Sequence, residues 1–332
     1  MPGLFSRLWR SRWALVSLSL CHGMGCRSAD RAIPTTNATR TIATVAPHGS
    51  QTGDALGRSN AITTSTRGDL NLETDGHGTR YFIPDNTDAP AFLLLLHGLG
   101  GSGIQFAQQL EMNELARDKR FAFAAPDGSV DEQGRKFWDA GPTCCNFSHR
   151  ETNDLGRLRN IIQFAIAKLR VNPKRIVVIG YSNGGFMAHR LGCEFSSEIR
   201  AIVSIAAAGP GAREHCVPER PVAVLEIHGS EDKVVPFEGG HLFGRADFPE
   251  STRVSDGLVP WAKRNGCRGS LRVVERMELT EELPANETEL LTYSDCAVPV
   301  QLWKMRGGGH ILPLGAVAQN RIWAFIERNV AD

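Results

Sequence analysis

The serine at position 182 has the local pattern best suited to chemistry in this 332-residue chain. Ser182 lies in Gly180-Tyr-Ser-Asn-Gly184, between a β-branched apolar run over residues 176–179 and a helical pattern that begins near Phe186. At the apex of a tight strand-to-helix turn, a serine has a strained backbone that pushes its Oγ above the sheet. The helix N-terminus adds free N–H groups and the positive end of a dipole. The pattern therefore predicts a nucleophile at Ser182.

Such a serine needs a histidine as general base, and the histidine needs a carboxylate to fix its tautomer. With this kind of turn the chain order is serine, acid, histidine. Residues 224–236 read as an apolar strand followed by a loop, which offers Asp232 with the adjacent Glu231 as its rival. Three glycines precede His310, the one histidine downstream of His241 in the sequence. We therefore predict Asp232 as the acid and His310 as the base.

Two backbone N–H groups are also needed, because an ester carbonyl gains negative charge during attack. The residue after the nucleophile supplies the first, which is Asn183, and a loop after an early strand supplies the second. That loop is the glycine-rich segment 97–103, and we assign its donor to Leu99. A glycine-rich loop can instead bind phosphate, but no Gly-Lys-Ser/Thr follows here, which argues against a nucleotide site.

Apolar runs alternate with helical patterns in the rest of the chain. The continuous run from Ala91 to Leu96 is typical of a strand buried on both faces of a parallel sheet. Asn153 can cap a helical pattern of period 3.6 over residues 155–169. Further strands are predicted at 80–84, 121–125, 201–207, 222–227 and 298–305, and further helices at 105–119, 256–265 and 321–329. This alternation, together with the turn at Ser182, favours an α/β-hydrolase fold with a mostly parallel central sheet and helices on both faces.

The N-terminal residues predict export. Three arginines precede the apolar run 13–20, and small residues follow, which is the pattern of a secretory signal. The run is shorter than the roughly 20 residues that span a bilayer. We therefore predict a signal peptide at 1–26, a disordered linker rich in Thr, Ala, Ser, Gly and Asn at 27–69, and a catalytic domain at 70–332.

The segment Gly23-Met-Gly-Cys26 resembles a bacterial lipoprotein cleavage box. Gly23 stands where such boxes usually carry an aliphatic residue. Lipid attachment at Cys26 and simple cleavage of the signal are therefore alternatives. Either gives a secreted, periplasmic or cell-envelope protein, which would touch a membrane only through a lipid on Cys26.

Composition excludes several classes of function. The net charge is +1, with 37 basic and 36 acidic residues, and no basic tract indicates a nucleic-acid partner.

Six cysteines follow the leader, at 144, 145, 193, 216, 267 and 296, and an even number in an exported chain favours disulfides. Their connectivity stays open, and the pair we predict is Cys267 with Cys296, at the two ends of a β-like excursion. Adjacent Cys144 and Cys145 lack a second pair at zinc-site spacing, which argues against a metal.

Several motifs together resemble a known family. They are His97-Gly-Leu-Gly-Gly-Ser-Gly103, Pro126-Asp-Gly128, Trp138-Asp-Ala-Gly141, Cys144-Cys145, Gly180-Tyr-Ser-Asn-Gly-Gly185, His228-Gly-Ser-Glu-Asp232, Trp261 with Asn265-Gly-Cys267, and Gly307-Gly-Gly-His310. Over residues 80–313 the chain resembles the secreted polyhydroxybutyrate depolymerase and feruloyl esterase family, which is similar to carbohydrate esterase family 1. The resemblance implies ester hydrolysis by Ser182, Asp232 and His310 without metal or cofactor.

The same resemblance indicates candidates for substrate binding, Trp138 and Leu312. Leu312 stands two residues after the histidine, where the family often has a tryptophan that can stack on substrate. The resemblance therefore supports hydrolysis better than aromatic or polymer recognition. We take His228 to be structural, in support of the acid loop, and assign no function to His149, His189 or His215.

The predicted activity is that of a carboxylic ester hydrolase, acting on feruloyl or acetyl esters of polysaccharide or on polyhydroxyalkanoate-type oligomers. One alternative is a serine peptidase of the prolyl oligopeptidase type, which shares the order of the triad but needs a pocket for a charged N-terminus. An acyltransferase would share the acyl-enzyme and pass the acyl group to a sugar hydroxyl. A binding module without catalysis usually lacks a member of the triad, whereas all three occur here in order.

Overall fold

Thirteen strands and seven α-helices occur in the part of the chain that the computed structural model describes, residues 79–85, 87–211 and 216–330. The strands are β1 (Tyr81–Phe82), β2 (Phe92–Leu96), β3 (Ala122–Ala124), β4 (Ser129–Val130), β5 (Lys136–Phe137), β6 (Ile176–Tyr181), β7 (Ile199–Ile205), β8 (Ala223–Gly229), β9 (Gly240–His241), β10 (Glu250–Ser251), β11 (Arg268–Met277), β12 (Thr288–Ser294) and β13 (Val300–Met305). The helices are α1 (Gly103–Gln109), α2 (Met112–Lys119), α3 (Asp154–Lys168), α4 (Asn183–Glu194), α5 (Val254–Gly257), α6 (Val259–Arg264) and α7 (Ala316–Asn329). The predicted signal peptide, the linker and His215 lie outside the described residues.

Nine strands form one sheet in the order β1-β3-β2-β6-β7-β8-β13-β12-β11. The six strands from β3 to β13 in this order pair in parallel. The outer strands β1, β12 and β11 pair antiparallel. The carboxyl ends of β6, β8 and β13 therefore lie at the same edge of the sheet, where the segments with Ser182, Asp232 and His310 follow them.

Two buried cores lie on the two faces of the sheet. Alternate side chains of β2 divide between them, with Leu94 in one core and Leu93 in the other. Helices α3, α4 and α6 contribute to the first core, and α1, α2 and α7 contribute to the second. Because both faces are covered, most side chains of the central strands are apolar. The predicted mostly parallel sheet with helices on both faces is confirmed.

The predicted helix over 105–119 is wrong in one respect, because it is divided into α1 and α2. Glu111 between them has a left-handed backbone, with φ of 49°. In an unbroken helix of 3.6 residues per turn, Met112 and Ala116 would point away from the side occupied by Phe106 and Ala107. The break lets both pairs pack into the same core.

The predicted helix over 256–265 is likewise divided, into α5 and α6. A proline at the start of α6 lacks an N–H for a helical hydrogen bond, which suits the first turn of a new helix. The long antiparallel hairpin β11–β12 was expected only as a β-like excursion. Of the described helices, none is long and apolar enough to cross a membrane.

Three disulfides join the six cysteines as Cys144–Cys145, Cys193–Cys216 and Cys267–Cys296. The predicted pair Cys267–Cys296 is confirmed. It closes the base of the β11–β12 hairpin, because Cys267 directly precedes β11 and Cys296 lies two residues beyond β12. The adjacent cysteines 144 and 145 are bonded to each other, so neither is a free thiolate.

Candidate active site

Ser182 lies between β6 and α4, and its backbone has a conformation that residues other than glycine rarely adopt. Its φ is 53° and its ψ is −119°, outside the helical and extended regions. The Ser182 N–H donates to the carbonyl of Ile205 at 2.7 Å, which holds the turn against β7. A Cβ added to Gly180 would collide with the carbonyl of Gly184, and one added to Gly184 would collide with that of Leu96. The two glycines are therefore required by the close approach of strand and helix.

His310 lies between the serine and a carboxylate. Its Nε2 is 2.9 Å from Ser182 Oγ, and its Nδ1 is 2.7 Å from Asp232 Oδ2. A carboxylate accepts only, so Nδ1 carries the proton and Nε2 presents a lone pair to the serine hydroxyl. The imidazole is 16% exposed, so the set is open to solvent from the histidine side. The structure thus brings together the three residues that chain order had selected.

Asp232 is 5% exposed and has both oxygens occupied. Its Oδ1 accepts from the N–H groups of Val234 and Val235 at 2.8 and 2.9 Å, which leaves Oδ2 for histidine. Burial alone would raise the pKa of Asp232, but hydrogen bonds from His228 and His310 outweigh it and hold the pKa well below its usual range. The adjacent Glu231 is exposed, so the structure favours Asp232 over its rival.

The loop that carries the acid and the loop that carries the histidine are joined by hydrogen bonds. Glu231 N–H donates to the carbonyl of Gly308 at 2.8 Å, and Gly307 N–H donates to Ser230 Oγ at 2.9 Å. Ser230 N–H in turn donates to the carbonyl of Met305, the last residue of β13, at 2.8 Å. These bonds fix the distance between the two loops, and with it the distance between acid and base.

Tyr181 is a further residue of the site that sequence reasoning missed. Its hydroxyl donates to the backbone carbonyl of His310 at 3.2 Å, and the centres of the two rings are 5.4 Å apart. Burial raises the pKa of the Tyr181 phenol above its usual value. The residue is therefore a neutral donor that holds the histidine loop over the nucleophile. Its place directly before the serine was the available signal.

The two predicted oxyanion donors belong to segments that adjoin the serine. A Cβ added to Gly98 would be 3.4 Å from Cβ of Ser182, so the segment that precedes Leu99 touches the nucleophile. Asn183 is the first residue of α4, whose first N–H groups have no partner within the helix. In the described part of the chain, the N–H groups of Leu99 and Asn183 make no hydrogen bond. Both therefore remain candidate donors to a developing oxyanion.

His97 fixes the loop that contains Leu99. The Gly128 N–H donates to His97 Nε2 at 2.9 Å, so the ring proton must lie on Nδ1. That Nδ1–H donates to the carbonyl of Gly98 at 2.7 Å. Burial is the main cause that lowers the pKa of His97, which keeps the ring neutral. The imidazole thus joins the segment before Leu99 to the loop at Gly128.

The assignment of Trp138 to substrate contact needs correction, because its side chain is 0% exposed. Its indole Nε1–H donates to the carbonyl of His97 at 3.0 Å. Its backbone N–H donates to Asn183 Oδ1 at 2.7 Å, and Asn183 Nδ2 donates back to its carbonyl at 2.9 Å. Trp138 therefore connects the segments that carry the two candidate oxyanion donors, and it presents no surface to a substrate.

The prediction that Leu312 contacts substrate is also wrong. It is 1% exposed and lies in the core that contains α7. A Cβ added to Gly308 would be 3.1 Å from its Cδ2, so Leu312 packs beneath the glycine loop. Its neighbour Ile311 is exposed instead. Sequence position alone did not show which residue after the histidine faces solvent.

Removal of the Trp138 indole donor should reduce turnover without removing the nucleophile. In Trp138→Phe the carbonyl of His97 is left buried without its partner, which costs about 1–3 kcal/mol of stability. Because that carbonyl directly precedes the Gly98–Leu99 segment, we expect kcat for ester hydrolysis to fall by roughly tenfold at nearly constant KM.

The matched control is Trp323→Phe. Trp323 is a buried tryptophan of α7 whose indole N–H makes no hydrogen bond among the described residues. Steady-state kinetics should leave this control close to wild type. Equal losses in the two variants would contradict a specific role for the Trp138 indole.

Of the remaining histidines, His149 is exposed and His189 is buried near Glu226. In the described residues, no group of three or more His, Cys, Asp and Glu side chains is arranged to hold a metal ion.

A family model described as phospholipase/carboxylesterase matches residues 81–246, which is half of the chain. The chain belongs to this family. The matched stretch contains Ser182 and Asp232, and it begins at β1 and ends beyond β9. Membership confirms the sequence prediction of a carboxylic ester hydrolase at the level of the family.

Curated relatives match most of this chain. Feruloyl esterase B of Piromyces equi is 29% identical over 252 residues, which are 72% of this chain and 42% of that protein. The putative esterase NocK of Nocardia uniformis subsp. tsuyamanensis is 24% identical over 253 residues, 72% of either chain. This chain thus spans less than half the length of the Piromyces protein.

Solved structures show the same fold. An acetyl xylan esterase from Aspergillus awamori gives a TM-score of 0.56 at 16% identity, over 78% of this chain and 100% of that one. A carboxylesterase from Bacillus cereus gives 0.50 at 17% identity, over 76% and 93%. At these identities the likeness is evidence for the fold alone, and it confirms the predicted α/β-hydrolase architecture.

Proposed function

We propose that this protein is a serine esterase that hydrolyses carboxylic esters through an acyl-enzyme on Ser182. The observation that carries the proposal is the pair of short contacts made by His310, 2.9 Å to Ser182 Oγ and 2.7 Å to Asp232 Oδ2. A serine hydroxyl becomes an effective nucleophile when such a base can take its proton. Family membership supports the same reaction class.

In the first half of the reaction, Ser182 Oγ attacks the ester carbonyl while its proton passes to His310 Nε2. The negative charge that develops on the carbonyl oxygen is stabilised by the N–H groups of Leu99 and Asn183. Asp232 stabilises the imidazolium through Nδ1. Collapse of the tetrahedral state breaks the ester C–O bond, and His310 returns the proton to the departing alcohol.

In the second half, water replaces the alcohol. His310 Nε2 takes a proton from the water as it attacks the acyl-serine carbonyl, and the same N–H groups stabilise the second oxyanion. Collapse releases the carboxylic acid and returns the proton to Ser182 Oγ. Every proton transfer is made by a group of this chain, and no step needs a cofactor.

The proposed substrates are feruloyl or acetyl esters carried on polysaccharide. Polyhydroxyalkanoate-type oligomers are the alternative substrate class. Two relatives support the first class by their names, feruloyl esterase B and the bifunctional acetylxylan esterase/xylanase XynS20E of Neocallimastix patriciarum. The second class follows only from the motif resemblance.

We also propose that the protein is exported. The charged, then apolar, then small pattern of residues 1–26 supports a signal peptide. Three disulfides support an oxidising compartment. Attachment of a lipid at Cys26 would keep the enzyme at the cell envelope, and simple cleavage would release it.

The test is a comparison of three esters with the purified chain: methyl ferulate, p-nitrophenyl butyrate and a 3-hydroxybutyrate trimer. We expect the highest kcat/KM for methyl ferulate, because aromatic acyl groups distinguish the feruloyl class. Preference for butyrate or for the trimer would contradict the feruloyl class and favour aliphatic acyl groups. Turnover of none of the three would contradict the esterase proposal itself.

A further inference from the structure

His228 is a buried imidazole whose two ring nitrogens both face hydrogen-bond acceptors. The side chain is 0% exposed. Its Nδ1 lies 2.8 Å from the carbonyl oxygen of Ala207, and its Nε2 lies 2.9 Å from that of Val235. A carbonyl oxygen cannot donate, so each short contact needs an N–H on the imidazole. A neutral ring has only one N–H and would leave a lone pair against a carbonyl.

The same two nitrogens also face carboxylates. Nε2 is 3.3 Å from Asp232 Oδ2, the oxygen that His310 contacts, and Nδ1 is 3.6 Å from Glu226 Oε1. Both carboxylate side chains are fully buried. Two buried negative charges on either side of one imidazole are costly unless the ring between them is positive.

The other carboxylate oxygen of Glu226, Oε2, faces His189, and the tautomer of His189 is fixed by its hydrogen bonds. Trp261 Nε1–H donates to His189 Nδ1 at 3.1 Å, so the proton of His189 lies on Nε2. That Nε2 is 3.0 Å from Glu226 Oε2 and donates to it. Glu226 Oε1 makes no hydrogen bond among the described residues, which leaves His228 as its counter-ion.

We propose that His228 is a permanent buried imidazolium, held by Glu226, and that it is a positioning residue that keeps Asp232 ionised with Oδ2 directed at His310. Glu226 balances this positive charge from the core side. The acid of the catalytic set is thus connected through His228 to Glu226, His189 and Trp261. None of these three residues touches the reacting atoms.

The other groups around His228 agree with a positive ring. Burial alone would lower the pKa of His228, but the nearby carboxylates of Asp232 and Glu226 outweigh it and raise the pKa to about 9. The ring of Phe237 packs edge-on against the imidazole at 5.8 Å between centres. Lys304 lies over the same phenyl ring, with Nζ 4.7 Å from its centre, and is a second cation near this part of the core.

The first test reads the protonation of His228 directly and does not depend on activity. The full chain is labelled with ring-¹⁵N histidine, and its imidazole N–H signals are recorded at pH 8, well above the usual histidine pKa of about 6.5. We expect one histidine to keep both ring nitrogens protonated. It is assigned by its change in Glu226→Gln and its persistence in Glu287→Gln. Glu287 is a second fully buried glutamate and lies directly before β12.

The second test follows the acid limb of the pH–activity profile and rests on the proposed esterase activity. In Glu226→Gln the amide carbonyl can still accept from His189, while the amide N–H₂ can donate to His228 Nδ1 and favour a neutral ring. The Ser–His–Asp set then loses the positive charge of His228, which lies nearer to it, together with the negative charge of Glu226, which lies farther away. Protonation of the Ser–His–Asp set becomes easier, and the acid limb should move up by on the order of half a pH unit.

The direction in which the acid limb moves in Glu226→Gln shows whether His228 is positive in the wild type. If His228 were neutral in the wild type, or stayed positive without Glu226, the loss of a negative charge would move the acid limb down or leave it in place. Either result overturns the proposal, and so does a neutral ring for every histidine at pH 8. Glu287→Gln should match the wild type in both tests. If the chain hydrolysed no ester at all, the proposed function would fail while the labelling experiment would still decide the state of His228.

Discussion

Ser182→Ala should lose ester hydrolysis almost completely, with kcat reduced by roughly 10⁶-fold, the scale at which removal of a serine nucleophile acts in other hydrolases. The reason is local. In the described part of the chain, Ser182 is the one residue whose hydroxyl donates to His310 Nε2, at 2.9 Å. Residual activity would come from backbone donors and bound water. Steady-state kinetics on p-nitrophenyl butyrate, with circular dichroism to verify the fold, gives the measurement.

The matched control for this variant is Ser204→Ala. Ser204 is a fully buried serine of the neighbouring strand β7, and its Oγ makes no hydrogen bond among the described residues. This variant also loses a serine Oγ, but one that makes no hydrogen bond in the described part of the chain. It should therefore keep nearly wild-type turnover. Turnover in Ser182→Ala equal to that of the control would remove the basis of the proposed mechanism.

Asp232→Asn is the second change with a large expected effect, a loss of roughly 10⁴-fold in kcat with little change in KM. The asparagine carbonyl would still accept from the N–H groups of Val234 and Val235. Its N–H₂ would then face His310 Nδ1, which must give up its proton to accept. The proton moves to Nε2, and the ring can no longer take the serine proton. His228 would meet the same N–H₂ and lose an acceptor.

A carboxylate of similar surroundings provides the control. Asp131 is also buried, and its Oδ1 accepts from the N–H groups of Gln133 and Arg135, as Asp232 Oδ1 accepts from two N–H groups of its own loop. Asp131→Asn should change stability and leave kcat near wild type. Comparable losses of kcat in the two variants would show a general effect of carboxylate removal and would contradict a specific role for Asp232.

Local pattern was enough to predict the elements that position the site. The residues Gly180 and Gly184 around Ser182 meet a steric requirement of one turn, so sequence alone could indicate it. Asp232 and His310 follow strands β8 and β13, which pair in parallel. Because parallel strands end at the same edge, chain order and the position of each residue after a strand were enough to predict that these two residues meet.

Long-range packing explains what the sequence could not predict. Trp138 and Leu312 look like substrate contacts by position, yet both side chains are buried, since Trp138 bonds to His97 and Leu312 packs beneath Gly308. No spacing rule shows which side chains meet inside the core. His189 and Glu226 are 37 positions apart and share a hydrogen bond inside the core. Only the folded arrangement shows that His228 lies between two carboxylates.

The most direct measurement of the central claim is covalent capture of the nucleophile. An alkyl fluorophosphonate should react with Ser182 Oγ, with fluoride as the leaving group and the serine proton taken up by His310. After digestion with trypsin, mass spectrometry should find one adduct per chain, on the peptide of residues 176–190, and an ester substrate should slow its formation. An adduct on another peptide, or loss of hydrolysis with residues 176–190 unmodified, would contradict the assignment of Ser182 as the nucleophile.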